Sequence, residues 1–242
     1  MDSTPYDAPK ARDLVHDDES QTFAGTGDFD LGQCVSDAWN ATTRNLGVII
    51  GAAIVGYLLM VVATFTFIGI FLVVPPLIWG GVALGMQALD SQARFDTLWD
   101  GFRNYGRSLG RMLLLMLALM ILGIIGNTPY YIGAFTESAA LTLIGVLIAV
   151  VWGLAIMVRL YFAWIFAVDT NTPATDSIKA SLQATKGLWF KVVLLALLSV
   201  VVAFLGFLAL GVGALISVPM SYLMWGSAFR QMVGRPRNPL RA

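Results

Sequence analysis

LGVIIGAAIVGYLLMVVATFTFIGIFLVVPPLIWGGVALGMQAL, running from Leu46 to Leu89, is a stretch of 44 residues without Asp, Glu, Lys, Arg or His. One helix needs about 20 apolar residues to cross a bilayer, so this stretch has the length of two crossings. It reads as a helical hairpin with its turn near 64–69. Pro75 and Pro76 then fall in the early part of the second crossing. Proline there would orphan backbone carbonyls, so this part should pack against protein rather than bare lipid.

The composition agrees. Hydrophobic residues make up 57% of the 242 and charged residues only 12%, against about 25% charged in a soluble domain. Mean hydropathy is +0.75. Formal net charge is zero, so only its distribution is informative. One cysteine, Cys34, excludes an intramolecular disulfide, and one histidine, His16, leaves no Cys/His metal cluster. The chain does not open on a basic patch followed by a short apolar core, so no cleavable signal is expected and the first crossing serves for targeting.

Outward from the hairpin, a surface element precedes each long apolar run. Residues 1–29 form an acidic tail too poor in large apolar residues to fold alone. From Asp30 to Arg44, Leu31, Val35, Ala38, Trp39 and Thr42 recur at helical spacing, as in an amphipathic helix at a membrane surface. Between Asp90 and Arg111, Phe95, Leu98, Trp99, Phe102 and Tyr105 form an aromatic stripe suited to the headgroup region. A third crossing follows from Met112, with an interface at Asn127–Tyr131, and a fourth spans Leu141–Val168. Thr172 and Pro173 predict an N-cap and first helical position, with Trp189 on the apolar side of that segment. Phe190–Ala228 then encloses two more crossings, the second interrupted by Pro219. A basic tail closes the chain over 233–242.

Laying residue n over n+143 brings Val35 onto Ile178, Ala41-Thr42 onto Ala184-Thr185 and Pro76 onto Pro219. An offset of 63 brings Arg44-Asn45-Leu46-Gly47 onto Arg107-Ser108-Leu109-Gly110. The expectation is an all-α membrane domain over 30–232, a six-transmembrane-helix bundle. It has three repeats, about 30–89, 94–168 and 172–232, each an amphipathic surface helix plus a helical hairpin. All fifteen Lys and Arg fall on the side of the surface helices, while the opposite turns carry only Glu137. The positive-inside rule therefore puts both termini in the cytoplasm.

Arg159-Leu160-Tyr161, Asp169, Asp176–Ser181, Thr185-Lys186-Gly187 and Phe95–Phe102 resemble a family of uncharacterised bacterial integral membrane proteins. That family is related to the membrane domain attached to some glycerophosphodiester phosphodiesterases. The resemblance spans roughly residues 30–230 and leaves out the acidic tail. It implies a six-span bundle in a bacterial inner membrane and no established reaction, and no segment here is long enough to be the catalytic domain.

Chemistry is sparse. Arg159 is the one ionised residue deep in a crossing, about 15 Å along the helix from Asp169. It either snorkels to the headgroups or contacts a lipid phosphate or substrate carboxylate, and with no acid in any crossing its partners are carbonyls, lipid or ligand. Gly81 and Gly85 form a GxxxG, read as packing within the chain. The chain has no Ser/His/Asp set, carboxylate pair or phosphate loop, so neither catalysis, a cofactor nor nucleic-acid binding is expected. The reading is a scaffold or accessory subunit of a larger membrane assembly. Its partners are the bilayer and membrane proteins, met through Trp39, Phe95, Trp99, Phe102 and Trp189. The alternative is a transporter or a lipid- or anion-handling protein that uses Arg159 in an intramembrane cavity and takes an anionic lipid.

Overall fold

The computed structural model describes residues 27–208 and 213–233, and among them every regular element is helical. The acidic segment before Gly27, part of the last hairpin turn and the basic tail after Val233 lie outside the described residues. Helix α1 (Leu31–Arg44) starts where the Asp30 carboxylate accepts the Gln33 N–H at 2.7 Å, a side-chain N-cap. It leads through Asn45 into α2 (Leu46–Phe65). A bend at Thr66 introduces α3 (Phe67–Leu72) and then α4 (Val74–Asp90). A 3-10 turn (Phe95–Trp99) and α5 (Asp100–Arg103) precede the long hairpin of α6 (Tyr105–Phe135) and α7 (Ala139–Asp169). The chain ends with α8 (Ala174–Ala184), α9 (Trp189–Leu208) and α10 (Ala214–Val233).

Four of these helices, α2, α6, α7 and α9, are long and apolar enough to cross a membrane. Burial separates inner helices from outer ones. Ten of the 17 residues of α4 and eleven of the 20 of α10 are buried, against three of 20 in α2. Helices surrounded by protein need not be greasy all round, whereas those facing lipid must be, which accounts for the lower hydropathy of α4 and α10. The inner helices are α4, α10 and the second half of α7, where Leu160, Phe162, Phe166 and their neighbours are buried, and the three touch one another. Phe166 and Phe229 meet edge to face at 4.8 Å, and Phe162 meets Trp225 at 5.2 Å.

The short surface elements close a ring. α1 lies on α10, the 3-10 turn and α5 lie on α4, and α8 lies on the second half of α7. Each thus covers the inner helix of a different hairpin. The contact at α4 is backbone on backbone: a Cβ at Gly80 would lie 1.9 Å from the Leu98 carbonyl oxygen, and one at Gly101 1.9 Å from that of Pro76. The tight glycine is therefore Gly80, while Gly81 of the GxxxG faces nothing within 4 Å.

Two of the inner helices also depart from regularity. The π-turn Gly153–Met157 interrupts α7, and Pro219 stands inside α10. From Leu31 to Asp90 the separation is 59 residues, and from Phe95 to Asp169 it is 74. The extra length lies in the α6–α7 hairpin.

Several expectations change in detail. Pro75 and Pro76 occupy the first turn of α4, where a missing N–H leaves no bond unmade, instead of interrupting a longer helix. Val74, Pro75, Pro76 and Leu77 are all buried, as the packing argument required. The expected interface at Asn127–Tyr131 is helical: α6 runs through Pro129 to Phe135. Asn127 and Thr128 there donate to the Gly123 and Ile124 carbonyls at 2.8 and 2.9 Å, and Gly133 seats α6 against the backbone of Thr142. The predicted aromatic helix is a 3-10 turn plus one short α-turn, broken at Asn104, because it must follow the surface of α4. Helix α8 begins one residue later than its Thr172–Pro173 signal.

Candidate functional site

Three helix ends converge on one guanidinium. Arg230, in the last turn of α10, bonds the Asp90 carboxylate at the end of α4 and that of Asp169 at the end of α7, the latter at 3.2 Å. Their side chains are 16%, 29% and 10% exposed, so this cluster is largely withdrawn from water. Such a pairing lets each apolar helix end in a charge without a lone ion being buried. The Arg230 Nε is buried and has no hydrogen-bond partner among the described residues.

Helix α1 is fastened beside this cluster. Its buried stripe is Cys34, Ala38, Ala41 and Thr42, small residues that let it approach α10 closely. Ser227 Oγ donates to Asp37 at 2.8 Å, and Gln231 Oε1 accepts the Asp30 N–H at 2.7 Å. Lys191, at the start of α9, donates to Asp28 at 2.5 Å, and together with the Phe29 N–H it holds that carboxyl below its ordinary range. Burial pushes the Cys34 thiol up to about 12. Asn45 fixes the floor: its Nδ2 donates to the Ala41 carbonyl at 2.9 Å, and its Oδ1 accepts the Ala93 N–H at 2.7 Å. Between α1, α4 and α10 remains a cleft of about 240 Å³, lined by Asp37, Asn40, Thr43, Arg44, Leu89, Asp90, Ser227 and Arg230.

The residues singled out from sequence lie elsewhere. Arg159 Nε donates to the Thr185 hydroxyl at 2.9 Å and Nη2 to the Leu182 carbonyl at 2.6 Å, capping the C-terminal turn of α8. Ser181 Oγ donates back to the Arg159 carbonyl at 2.5 Å. Arg159 lines neither the cleft nor the groove of Asn127, Tyr130, Val146, Ala149 and Val150 on the long hairpin. Trp39 is 55% exposed at the rim of α1. Phe95 rests near Gly51 of α2, and the Trp99 and Phe102 rings meet at a tilt of 52° with centroids 5.6 Å apart. The Trp189 indole N–H donates at 3.2 Å to the Leu154 carbonyl, which belongs to the π-turn.

The arrangement offers charge of both signs in a polar cleft. Among the described residues no group of three His, Cys, Asp or Glu could hold a metal ion. Sequence reasoning passed over the Arg230 cluster because each member stands alone at the end of an apolar run. The available signal was that Asp90, Asp169 and Arg230 terminate three such runs and together carry opposite charges. Compared with protein-family models, curated proteins and solved structures, the chain has no match.

Proposed function

We propose that this chain is a non-catalytic scaffold or accessory subunit of a larger assembly in the bacterial inner membrane. In this reading it crosses the membrane six times, with both termini cytoplasmic, and consists of three units of one plan. The ring of surface elements supports the plan, each lying on a different inner helix. α4 and α10 then cross as inner helices, and the side bearing the basic residues is the cytoplasmic one. The family resemblance of Arg159–Tyr161, Asp176–Ser181 and Phe95–Phe102 supports the bacterial setting.

One observation carries the function: the Arg159 guanidinium is spent on the end of α8. A transporter or anion handler needs that cation facing a cavity. Here it braces a surface element, and Phe162 and Trp225 fill the space between inner helices. Groups that could have moved a solute hold the cytoplasmic face in shape. Purification from the native membrane in mild detergent, with mass-spectrometric identification of what accompanies the chain, tests the reading. A stoichiometric membrane-protein partner is expected. A solitary chain that drives Arg159-dependent solute uptake in proteoliposomes would contradict it.

A further inference from the structure

We propose that the face of α6 carrying Arg107, Gly110 and Arg111 binds the phosphodiester group of an anionic phospholipid. This rests on the membrane placement proposed above. α6 is one of the four helices long and apolar enough to cross a bilayer. Arg107 and Arg111 are its last charges before an uncharged run from Met112 to Phe135. The pair therefore stands where the helix enters the bilayer, at headgroup level. Helical spacing puts both guanidinium groups on one face, one turn apart, with Gly110 between them and Leu114 carrying the same face into apolar surface. Arg107, Gly110 and Leu114 are exposed, and nothing lies within 4 Å of the place a Cβ would take at Gly110. An open gap is left between the two cations. Exposed Ile121 and Ile125 continue the strip, so an acyl chain can lie along it.

The charge at this gap is unmet. Two like charges one turn apart disfavour each other, and neither ends on a carboxylate. The Arg107 guanidinium has no partner among the described residues. Arg111 Nη1 donates to the Asn171 carbonyl at 2.6 Å and to the Asn171 side-chain oxygen, which fixes the group in place and leaves Nε and Nη2 unspent among the described residues. The acids of the neighbouring elements are taken: Asp96 pairs with Arg94, Asp100 with Arg103 and Asp176 with Lys179. Phosphate oxygens suit guanidinium groups, through charge-assisted and often bidentate bonds. A lipid that carries its own choline brings a second cation to a place that offers no carboxylate. The gap therefore favours a head group with no charge beyond its phosphate.

Native mass spectrometry of the purified full chain with defined phosphatidylglycerol or phosphatidylcholine tests this. Phosphatidylglycerol should be retained about tenfold more than phosphatidylcholine. Arg107→Gln should remove most of that preference with the thermal midpoint kept, since its guanidinium is bonded to nothing in the fold. Gly110→Leu, which fills the gap and keeps both arginines, should do the same. Arg94→Gln, outside the gap, should leave the preference unchanged. Inorganic phosphate that raises the thermal midpoint of the parent as strongly as the lipid, and not that of Arg107→Gln, also supports the site and assigns it to a soluble anion. Equal retention of the two lipids, or a preference unchanged in Arg107→Gln, overturns the proposal. So does a preference lost in Arg107→Gln and kept in Gly110→Leu, because diffuse attraction to charge needs no gap. Membrane placement is read separately by thiol labelling, so its failure and the failure of lipid selection are distinguishable.

Discussion

Arg159 Nη2 donates to the Leu182 carbonyl at 2.6 Å and so ties α7 to the last turn of α8. A leucine in place of Arg159 removes an insertion penalty, but it also leaves that carbonyl and the buried Thr185 without their cation. Hydrogen bonds to charged groups contribute about 1.5–3 kcal/mol each way, comparable to the roughly 2.5–3.5 kcal/mol insertion cost of a central arginine. The bonds should prevail, because this arginine sits against a surface element. Arg159→Leu should therefore lower the thermal midpoint in detergent and speed proteolysis near Lys186. Unchanged proteolysis there would show that α8 is held by its other contacts.

The backbone contact at Gly101 gives a sharper steric test. A Cβ there would meet the Pro76 carbonyl at 1.9 Å, and neither backbone can move without unseating α5 from α4. Gly101→Ala should destabilise by about 3 kcal/mol or more, at the upper end of overpacking costs. Gly110→Ala, where nothing lies within 4 Å, should be neutral or stabilise by up to about 1 kcal/mol. Thermal unfolding of both variants in the same detergent reads the difference.

Arg230 should tolerate replacement badly. Arg230→Met removes the guanidinium that Asp90 and Asp169 share, a change that costs about 3–5 kcal/mol in buried pairs. Asp90 is 29% exposed, so the lower end is expected. Adding Asp90→Asn and Asp169→Asn should recover much of the loss, as measured by thermal midpoint. Failure of that rescue would mean that Arg230 acts through packing alone.

How far the sequence carried depends on the kind of signal. The hairpins were legible because uninterrupted apolar length leaves few alternatives in a bilayer, and the buried run Val74–Leu77 was legible from its prolines. The helical course of Asn127–Tyr131 was not legible, since side chains of Asn127 and Thr128 and the seating of Gly133 sustain a helix through Pro129 that local preference would end. On α1 the face counted as apolar held Trp39, yet the buried stripe is Cys34, Ala38, Ala41 and Thr42, because close approach to α10 favours small residues over large ones. The Arg230 cluster joins residues 140 and 61 positions apart, which no local pattern encodes.

The Asp28–Lys191 pair predicts a weak dependence on pH. The Asp28 carboxyl titrates below its ordinary range, so the ionised form favours the folded state. That contribution is present above the unfolded Asp value of about 3.9 and fades as pH falls through the lowered folded value. Both side chains are near half exposed, so the pair is worth only about 0.2–1 kcal/mol. Asp28→Asn should lower the thermal midpoint slightly near neutral pH and make no difference once the parent carboxyl is protonated. A difference that persists in acid would point to a role outside the ion pair.

Whether the less apolar helices α4 and α10 cross the membrane decides the six-crossing plan, and thiol labelling in intact spheroplasts tests it most directly. Single cysteines at exposed Thr66, Gln92, Thr136 and Lys186, in a Cys34→Ser background, sample the bends on both proposed faces. The account predicts that Thr66→Cys and Thr136→Cys react with an impermeant reagent at once, while Gln92→Cys and Lys186→Cys react only after lysis. Labelling of Gln92→Cys from outside together with Thr66→Cys would put both ends of α4 on one face and contradict the account.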